Sequence, residues 1–285
     1  MSGESIFFTS KDGLRLHARC YGARASKATP VVCLPGLTRT ADDFDPLAER
    51  LSGAGRRVIA LDYRGRGLSA YDPNPANYTV QVELGDVLTV LDALDVRSAI
   101  FIGTSRGGIL AMLLASVRPQ AVAAAILNDI GPVIELSGLL RIKSYVGKLP
   151  APANDAEAAK VLRDVFAASF PNLSDEDWRG FAHRAFKQED GRLVPTYDVR
   201  IAETLKEISP ETIVPDLWPQ FDGLAHVPVM VIRGALSDLL STETVEAMSA
   251  RHPNMRVVEV AGQGHAPMLQ DEPTLGAIEQ FANAV

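Results

Sequence analysis

The sequence predicts an α/β fold: a three-layer sandwich in which helices cover both faces of a mostly parallel, eight-stranded sheet. Two observations support this fold. Eight short strand-like segments alternate with helical patterns along the 285-residue chain, as is typical of α/β proteins. Residues 131–215 interrupt the alternation with helical patterns alone. We therefore expect one core, formed by residues 1–130 and 216–285, with a helical cap inserted at residues 131–215.

The strand-like segments differ in ways that predict their places in the sheet. Segments 6–9 and 14–19 flank the turn Lys11-Asp12-Gly13 and are expected to form an opening β-hairpin. The short apolar run Val31–Leu34 predicts a strand buried on both faces, as in a parallel sheet. The remaining predicted strands are 58–61, 99–102, 122–127, 229–232 and 256–260.

Hydrophobic spacing also predicts the helices. Segment 80–94 carries its apolar residues near helical spacing and is expected to be amphipathic. Segment 109–117 is almost wholly apolar, which is typical of a helix buried in the interior. Further helices are predicted at 47–51, 156–170, 175–186, 201–207 and 274–284.

Composition excludes several classes of protein. Apolar residues make up 47% and charged residues 22% of the chain, as in ordinary globular proteins. The net charge of −7 disfavours binding to nucleic acid or to anionic membranes. Cys20 and Cys33 lack the spacing of metal ligands, so we expect reduced thiols, no metal and no cofactor.

The chain shows no targeting signal that we can identify. Residues 1–9 lack the basic region and apolar stretch of a signal peptide. No segment approaches the roughly 20 apolar residues that span a bilayer. We therefore expect a cytoplasmic protein, a monomer or a homodimer, whose partner is a small molecule.

The sequence Gly103-Thr104-Ser105-Arg106-Gly107 predicts a catalytic nucleophile. It follows a predicted strand and precedes the apolar helix, the context that the G-x-S-x-G motif requires. Glycines on both sides allow strand and helix to approach closely, and a helix N-terminus favours negative charge. We therefore predict Ser105 as the nucleophile; a serine that only caps the helix is the alternative.

A serine hydroxyl needs a base, and the base needs an acid to orient it. His265 lies in a loop after the last predicted strand and is the predicted base. Asp238 follows the strand at 229–232, and the order Ser105, Asp238, His265 is the one that this motif requires. Asp129 also ends a strand and stays open as the alternative acid.

Together these motifs resemble the α/β-hydrolase superfamily along nearly the whole chain, in particular serine hydrolases with a helical cap. The segment 62–69, Asp-Tyr-Arg-Gly-Arg-Gly-Leu-Ser, resembles the family's D-x-R-G-x-G-x-S turn, which implies a structural role near the site. The resemblance implies that Leu37 and Arg106 donate backbone N–H groups to an oxyanion hole. Pro35-Gly36 stands where the family usually has His-Gly.

Several side chains are candidates for substrate contact. Arg106 is expected either to bind a substrate carboxylate or to pair with an acid such as Asp129. Leu37, Trp178 and Phe181 are further predicted substrate contacts. The two aromatic residues, together with Phe186 and Tyr197, line an acyl pocket or form the core of the cap.

The other histidines lack the paired spacing of metal ligands. His17, in the opening hairpin, and His252, at a helix end, are expected at the surface. His183 lies in the predicted cap and is a candidate for the pocket.

A serine nucleophile favours cleavage of a small or medium ester or lactone through an acyl-enzyme. Two alternatives remain. One is a carbon–carbon bond hydrolase of a dienoic keto acid, with Arg106 holding the carboxylate, although such relatives often have an aromatic residue where Ala266-Pro267 stands. The other is a ligand receptor of the same fold, because fold alone does not determine function.

Overall fold

An eight-stranded sheet forms the centre of the molecule in the computed structural model, which describes residues 3–285. The ten strands of the described chain are β1 (Glu4–Thr9), β2 (Arg15–Tyr21), β3 (Val31–Leu34), β4 (Val58–Asp62), β5 (Ala99–Thr104), β6 (Val122–Asn128), β7 (Phe186–Glu189), β8 (Arg192–Pro195), β9 (Val229–Gly234) and β10 (Met255–Val260). The central sheet has the order β1-β2-β4-β3-β5-β6-β9-β10. Strands β1, β2 and β4 pair antiparallel, and the other pairs are parallel. The predicted mostly parallel, eight-stranded sheet is confirmed.

Helices cover both faces of this sheet, which confirms the three layers. The helices are α1 (Asp45–Gly53), α2 (Val80–Ala93), α3 (Arg106–Val117), α4 (Leu136–Tyr145), α5 (Asp155–Phe166), α6 (Asp175–Ala185), α7 (Trp218–Asp222), α8 (Thr242–Arg251) and α9 (Glu272–Asn283). One apolar cluster packs α1 and α9 against the sheet through side chains such as Leu47 and Ile278. A second cluster packs α2, α3 and α8 against the opposite face through Val87, Leu110 and Met248. Strands between two such layers must be apolar on both faces, and every residue of β3, β4 and β9 is buried.

Residues 131–215, called the insert below, lie between β6 and β9. The insert contains α4, α5 and α6 and has its own apolar cluster, which includes Phe166, Trp178 and Phe181. The sequence predicts helices alone, whereas the structure also contains the antiparallel hairpin of β7 and β8. Asp190 and Gly191 form its two-residue turn with φ of 49° and 76°. Positive φ at both positions is what a type I′ hairpin turn requires, and Asp-Gly is a sequence that favours it.

Some other elements also differ from the prediction. The segment predicted as a helix at 201–207 is a 3-10 helix, Val199–Leu205. Helices α4, α7 and α8 were not predicted from the sequence. His17 and His252, predicted at the surface, are 0% and 2% exposed.

Within residues 3–285, no helix combines the length and the apolar character needed to cross a bilayer. Met1 and Ser2, part of the segment in which we expect no signal peptide, lie outside the described residues.

A buried arginine links three separate parts of the core. The Arg64 side chain is 2% exposed and donates two hydrogen bonds of 2.7 Å to Asp86 on α2. It also bonds Asp72, at 2.7 Å, and Asp12 in the β1–β2 turn, at 2.8 Å. Because Asp72 and Asp86 are themselves buried, loss of the guanidinium would leave carboxylates without a charge partner.

We therefore expect Arg64→Met to lower the free energy of unfolding by about 3–5 kcal/mol, the cost of breaking a buried ion pair by removing one partner. Urea unfolding followed by circular dichroism measures the change. Arg163→Met is the matched control, since Arg163 pairs with Asp175 at the surface and such pairs contribute about 0–1 kcal/mol. Equal losses in the two variants would contradict a stabilising role for the Arg64 cluster.

Candidate active site

Ser105 lies in the sharp turn between β5 and α3. Its φ of 51° is unusual for a residue with a side chain. A Cβ on Gly103 would lie 2.4 Å from the backbone of Gly107, and one on Gly107 would lie 2.0 Å from the carbonyl oxygen of Leu34. Only glycine fits at either position, so the two glycines of the motif allow α3 to contact β5 and β3 directly.

The side chains of Ser105, His265 and Asp129 form a continuous hydrogen-bonded line. Ser105 Oγ lies 2.9 Å from His265 Nε2, and His265 Nδ1 lies 2.8 Å from Asp129 Oδ2. Asn128 donates a 2.9 Å bond to the carbonyl of Pro267 and so ties the histidine loop to the end of β6. The structure thus brings Ser105 and His265 together, as the sequence predicts.

The prediction of Asp238 as the acid beside His265 is wrong, because Asp129 occupies that position. β6 lies directly beside β5, so the residue that follows β6 emerges next to Ser105. Asp238 lies beyond the end of β9, one strand further away, and accepts bonds of 2.5 and 2.8 Å from Arg141 on α4. Burial is the largest single influence and opposes ionisation of Asp238, but the hydrogen bonds and charge of Arg141, together with the charge of His265, outweigh it and lower the pKa of Asp238.

The loop that carries Asp238 nevertheless contributes to the site. Its Ser237 hydroxyl donates to Asp129 Oδ2 at 2.6 Å, and the Gly234 N–H donates to Asp129 Oδ1 at 2.8 Å. Asp129 is fully buried, so these donors replace the water that an exposed carboxylate would bind. They fix the plane of the carboxylate that faces His265.

A buried ion chain connects the two residues that the resemblance assigns to an oxyanion hole. The Arg66 Nε donates to the carbonyl of Leu37 at 2.8 Å, and Arg66 pairs with Glu83 at 2.7 Å. Glu83 also pairs with Arg106, the first residue of α3, at 2.5 Å. The N–H of a first helical residue has no partner within its helix. This chain, Arg66–Glu83–Arg106, joins the loop of Leu37 to the turn of Ser105.

The Arg106 side chain, predicted as a substrate contact, is bonded to other groups of the protein. Its Nη2 donates to the carbonyl of Tyr78 at 3.0 Å, while its Nε holds Glu83. Asp129, the other predicted partner, is bonded to His265 instead. The acid that holds the Arg106 guanidinium is thus Glu83 on α2, and Arg106 is not among the residues that line the cavity with Ser105.

A cavity of about 140 Å³ is lined by Ser105 and His265. Much of its wall is apolar and comes from the insert, including Ile142, Tyr145, Phe166, Phe170, Phe181 and Tyr197. Burial raises the pKa of Tyr145 to about 12, so its phenol is neutral at physiological pH.

Two of the predicted substrate contacts, Leu37 and Phe181, line this cavity. Trp178 does not line it; it stacks on Phe181 with ring centroids 6.1 Å apart and packs inside the insert. Arg39 and Arg184 line the cavity and were missed by the sequence analysis. Neither is part of a recognisable motif, and only the packing of the insert on the core brings them together.

A second Ser-His-Asp arrangement lies at the edge of the sheet. His17 Nδ1 lies 2.7 Å from Asp62 Oδ2, and His17 Nε2 lies 3.0 Å from the hydroxyl of Ser5. Ser5 belongs to β1, so no helix N-terminus supports it. Asp62 also accepts the N–H groups of Ala41 and Leu68, which indicates a structural role in holding these turns.

Comparison with known proteins agrees with this architecture. Residues 31–277 match the model of the Alpha/beta hydrolase family. The 3-hydroxybutyrate-oligomer hydrolase of Cupriavidus necator is 35% identical over 275 residues, which cover 93% of each chain. The 2-(acetamidomethylene)succinate hydrolase of Mesorhizobium japonicum is 29% identical over 87% of this chain and 86% of the relative.

A solved structure gives the same result in three dimensions. An alpha/beta hydrolase from Novosphingobium aromaticivorans superposes with a TM-score of 0.94, at 38% identity, over 100% of this chain and 99% of the other. These findings support a hydrolase in the broad sense, and the chain belongs to the alpha/beta hydrolase family.

Proposed function

We propose that this chain is a serine esterase that cleaves a small or medium carboxylic ester or lactone through an acyl-enzyme on Ser105. The observation that carries the proposal is the line from Ser105 through His265 to Asp129 at the wall of a cavity, with distances of 2.9 and 2.8 Å. A hydroxyl becomes an effective nucleophile when a base oriented by an acid can take its proton.

In this mechanism, Ser105 Oγ attacks the ester carbonyl carbon while His265 Nε2 takes the hydroxyl proton. The carbonyl oxygen gains negative charge and accepts hydrogen bonds from the N–H groups of Leu37 and Arg106. The carbon–oxygen bond to the alcohol then breaks, and His265 gives its proton to the leaving oxygen. A water molecule, deprotonated by His265, then attacks the acyl carbon; the bond to Ser105 Oγ breaks, His265 returns the proton to Ser105 Oγ, and the acid is released. Asp129 stabilises the imidazolium in both steps.

The substrate class draws on the relative from Cupriavidus necator, named as a 3-hydroxybutyrate-oligomer hydrolase. Oligomers of a hydroxy acid are joined by ester bonds, which is the bond that this site is suited to cleave. We therefore favour esters of short hydroxy acids as substrates. The cavity of about 140 Å³ suits a short acyl group better than a long lipid chain.

We assign the insert, residues 131–215, as the cap that covers the site and sets specificity. Its side chains Ile142, Tyr145 and Phe166 contribute to the wall of the cavity. The carbon–carbon hydrolase alternative used Arg106 as its carboxylate ligand, whereas the Arg106 side chain pairs with Glu83. A cytoplasmic location and a monomeric or dimeric state remain predictions from the sequence.

The first test is covalent labelling. We expect a fluorophosphonate to add one adduct to the intact protein, detected by mass spectrometry, and none to Ser105→Ala. Hydrolysis of p-nitrophenyl butyrate should fall at least about 10⁴-fold in that variant. Ser5→Ala is the matched control, because it removes the serine of the second Ser-His-Asp arrangement and should leave both readouts unchanged. Absence of any adduct on folded wild-type protein would contradict the proposal and favour the receptor alternative.

The second test separates the two candidate acids. We expect Asp129→Asn to lower kcat for p-nitrophenyl butyrate by about 10²–10⁴-fold, because the amide no longer holds His265 in the required tautomer. Asp238→Asn, which only breaks the pair with Arg141, should retain most of the activity. Circular dichroism checks that both variants fold. A larger loss in Asp238→Asn than in Asp129→Asn would be incompatible with the role assigned to Asp129.

A further inference from the structure

Two arginines from different parts of the chain share one carboxylate at the wall of the cavity. Arg39 lies in the loop after β3 and donates from Nε to Asp43 Oδ2 at 2.5 Å, and its Nη2 binds the other carboxylate oxygen. Arg184, in the last turn of α6, has its Nε 3.4 Å from Asp43 Oδ1. All three residues line the cavity that contains Ser105.

The charges of this group do not cancel. Asp43 is the only carboxylate among the residues that line the cavity in the described chain, whereas Arg39 and Arg184 are both cationic. Outside the wall, Arg19 is shared between two nearby acids, Asp42 and Asp45, and the charge of Asp45 also acts on Arg184. At the cavity wall itself, two guanidiniums therefore share a single carboxylate.

Arg184 is the less well paired of the two guanidiniums. Its Nε is buried and, within residues 3–285, forms no hydrogen bond of normal geometry. Both carboxylate oxygens of Asp43 are already bonded to Arg39. The Arg184 Nη2 makes only a long, 3.4 Å contact with Gln270. Burial lowers the pKa of Arg184, as expected for a guanidinium with too little negative charge around it. The guanidinium as a whole is therefore short of acceptors, and a ligand in the cavity that supplies one is bound more tightly.

Both arginines line the same cavity as Ser105, and the stem of Arg39 lies close to it. A Cβ on Gly36 would lie 3.3 Å from Arg39 Cγ and 3.9 Å from Ser105 Cβ, so the Arg39 stem and Ser105 flank the same glycine. The Arg39 guanidinium lies 4.5 Å from the ring centroid of Phe181. Apolar side chains around a charge lower the local dielectric constant and strengthen its attraction for an anion.

We propose that Arg39 and Arg184 bind a carboxylate carried by the substrate, so that the ester cleaved at Ser105 is an anion. Candidate substrates are oligoesters of hydroxy acids with a free carboxyl end and monoesters of dicarboxylic acids. Guanidinium groups suit this role because their planar donors match the two oxygens of a carboxylate. With a net charge of −7 on the whole chain, the attraction for such an anion comes from this local pair.

The competing explanation is purely structural: Arg184, Asp43 and Arg39 form an ion cluster that holds α6 against the loop after β3. Loss of a structural cluster would weaken binding of charged and neutral substrates equally, whereas loss of a carboxylate site would weaken binding of the charged ones alone. The identity of the cleaved bond rests on the proposed function, but recognition of the carboxylate is measurable without turnover.

The test uses the linear dimer of 3-hydroxybutyrate and its methyl ester, which differ only in the free carboxylate. Calorimetric titration into Ser105→Ala measures binding without hydrolysis. We expect the free acid to bind about 10- to 100-fold more tightly than the methyl ester, the range for one charge-assisted hydrogen bond. Arg184→Gln in the same background should weaken binding of the acid by a similar factor and leave the methyl ester unchanged.

Two further variants serve as controls. Arg179→Gln removes a charge from the exposed face of the same helix α6 and should leave both affinities unchanged. Arg184→Lys keeps the charge and should retain most of the preference for the acid. Equal affinities of Ser105→Ala for acid and methyl ester, or equal losses for both in Arg184→Gln, would overturn the carboxylate site. Failure of the wild-type protein to hydrolyse either the free acid or the methyl ester would instead count against the proposed esterase activity.

Discussion

The contact between β5 and α3 at Gly103 and Gly107 is the constraint on which the candidate site depends. Any side chain at Gly103 would strike the backbone of Gly107, and any at Gly107 would strike β3. The close approach forces the chain through a left-handed conformation at Ser105. The serine hydroxyl therefore projects from the end of the sheet, at the N-terminus of a buried helix. His265 can bond the Ser105 hydroxyl, and Asp129 can orient His265 for it, only because this turn places the hydroxyl within reach of His265.

The buried ion chain Arg66–Glu83–Arg106 extends this constraint to the facing loop. Glu83 is fully buried between two guanidiniums, one bonded to the carbonyl of Leu37 and the other belonging to the residue after Ser105. A carboxylate at this depth is stable only while both partners stay in place. The ion chain thus links the two residues whose N–H groups we propose as the oxyanion hole. Arg66, from the turn after β4, thus supports the Leu37 loop through its carbonyl in a chain that has Pro35-Gly36 before Leu37.

Sequence reasoning predicted those features whose causes are local. The β5 strand, the glycines and the apolar helix are neighbours in the chain, so the nucleophile turn could be identified from its own residues. The parallel strands could be identified because burial on two faces requires an apolar run. The acid could not be chosen in this way, since both Asp129 and Asp238 follow strands and both precede His265. The deciding fact is that β6, and not β9, lies beside β5, which is a property of the sheet order.

The contacts of the insert were predictable only in part, for the same reason. Phe181 and Trp178 are three residues apart on one helix, yet only Phe181 reaches the cavity. Arg39 and Arg184 are far apart in the chain, and no pattern connects them. The partner of the Arg106 side chain was not predictable either, because Glu83 on α2 belongs to no sequence motif.

The arrangement of Ser5, His17 and Asp62 has a consequence for how enzymes are recognised from coordinates. A template that matches only the distances among a serine, a histidine and an aspartate would find two catalytic triads in this chain. One of them is part of a β-strand and braces the turns around Asp62. Backbone conformation at the serine discriminates better between a catalytic and a structural arrangement. A nucleophilic serine must lie outside the regular hydrogen bonding of a strand to be accessible to a substrate.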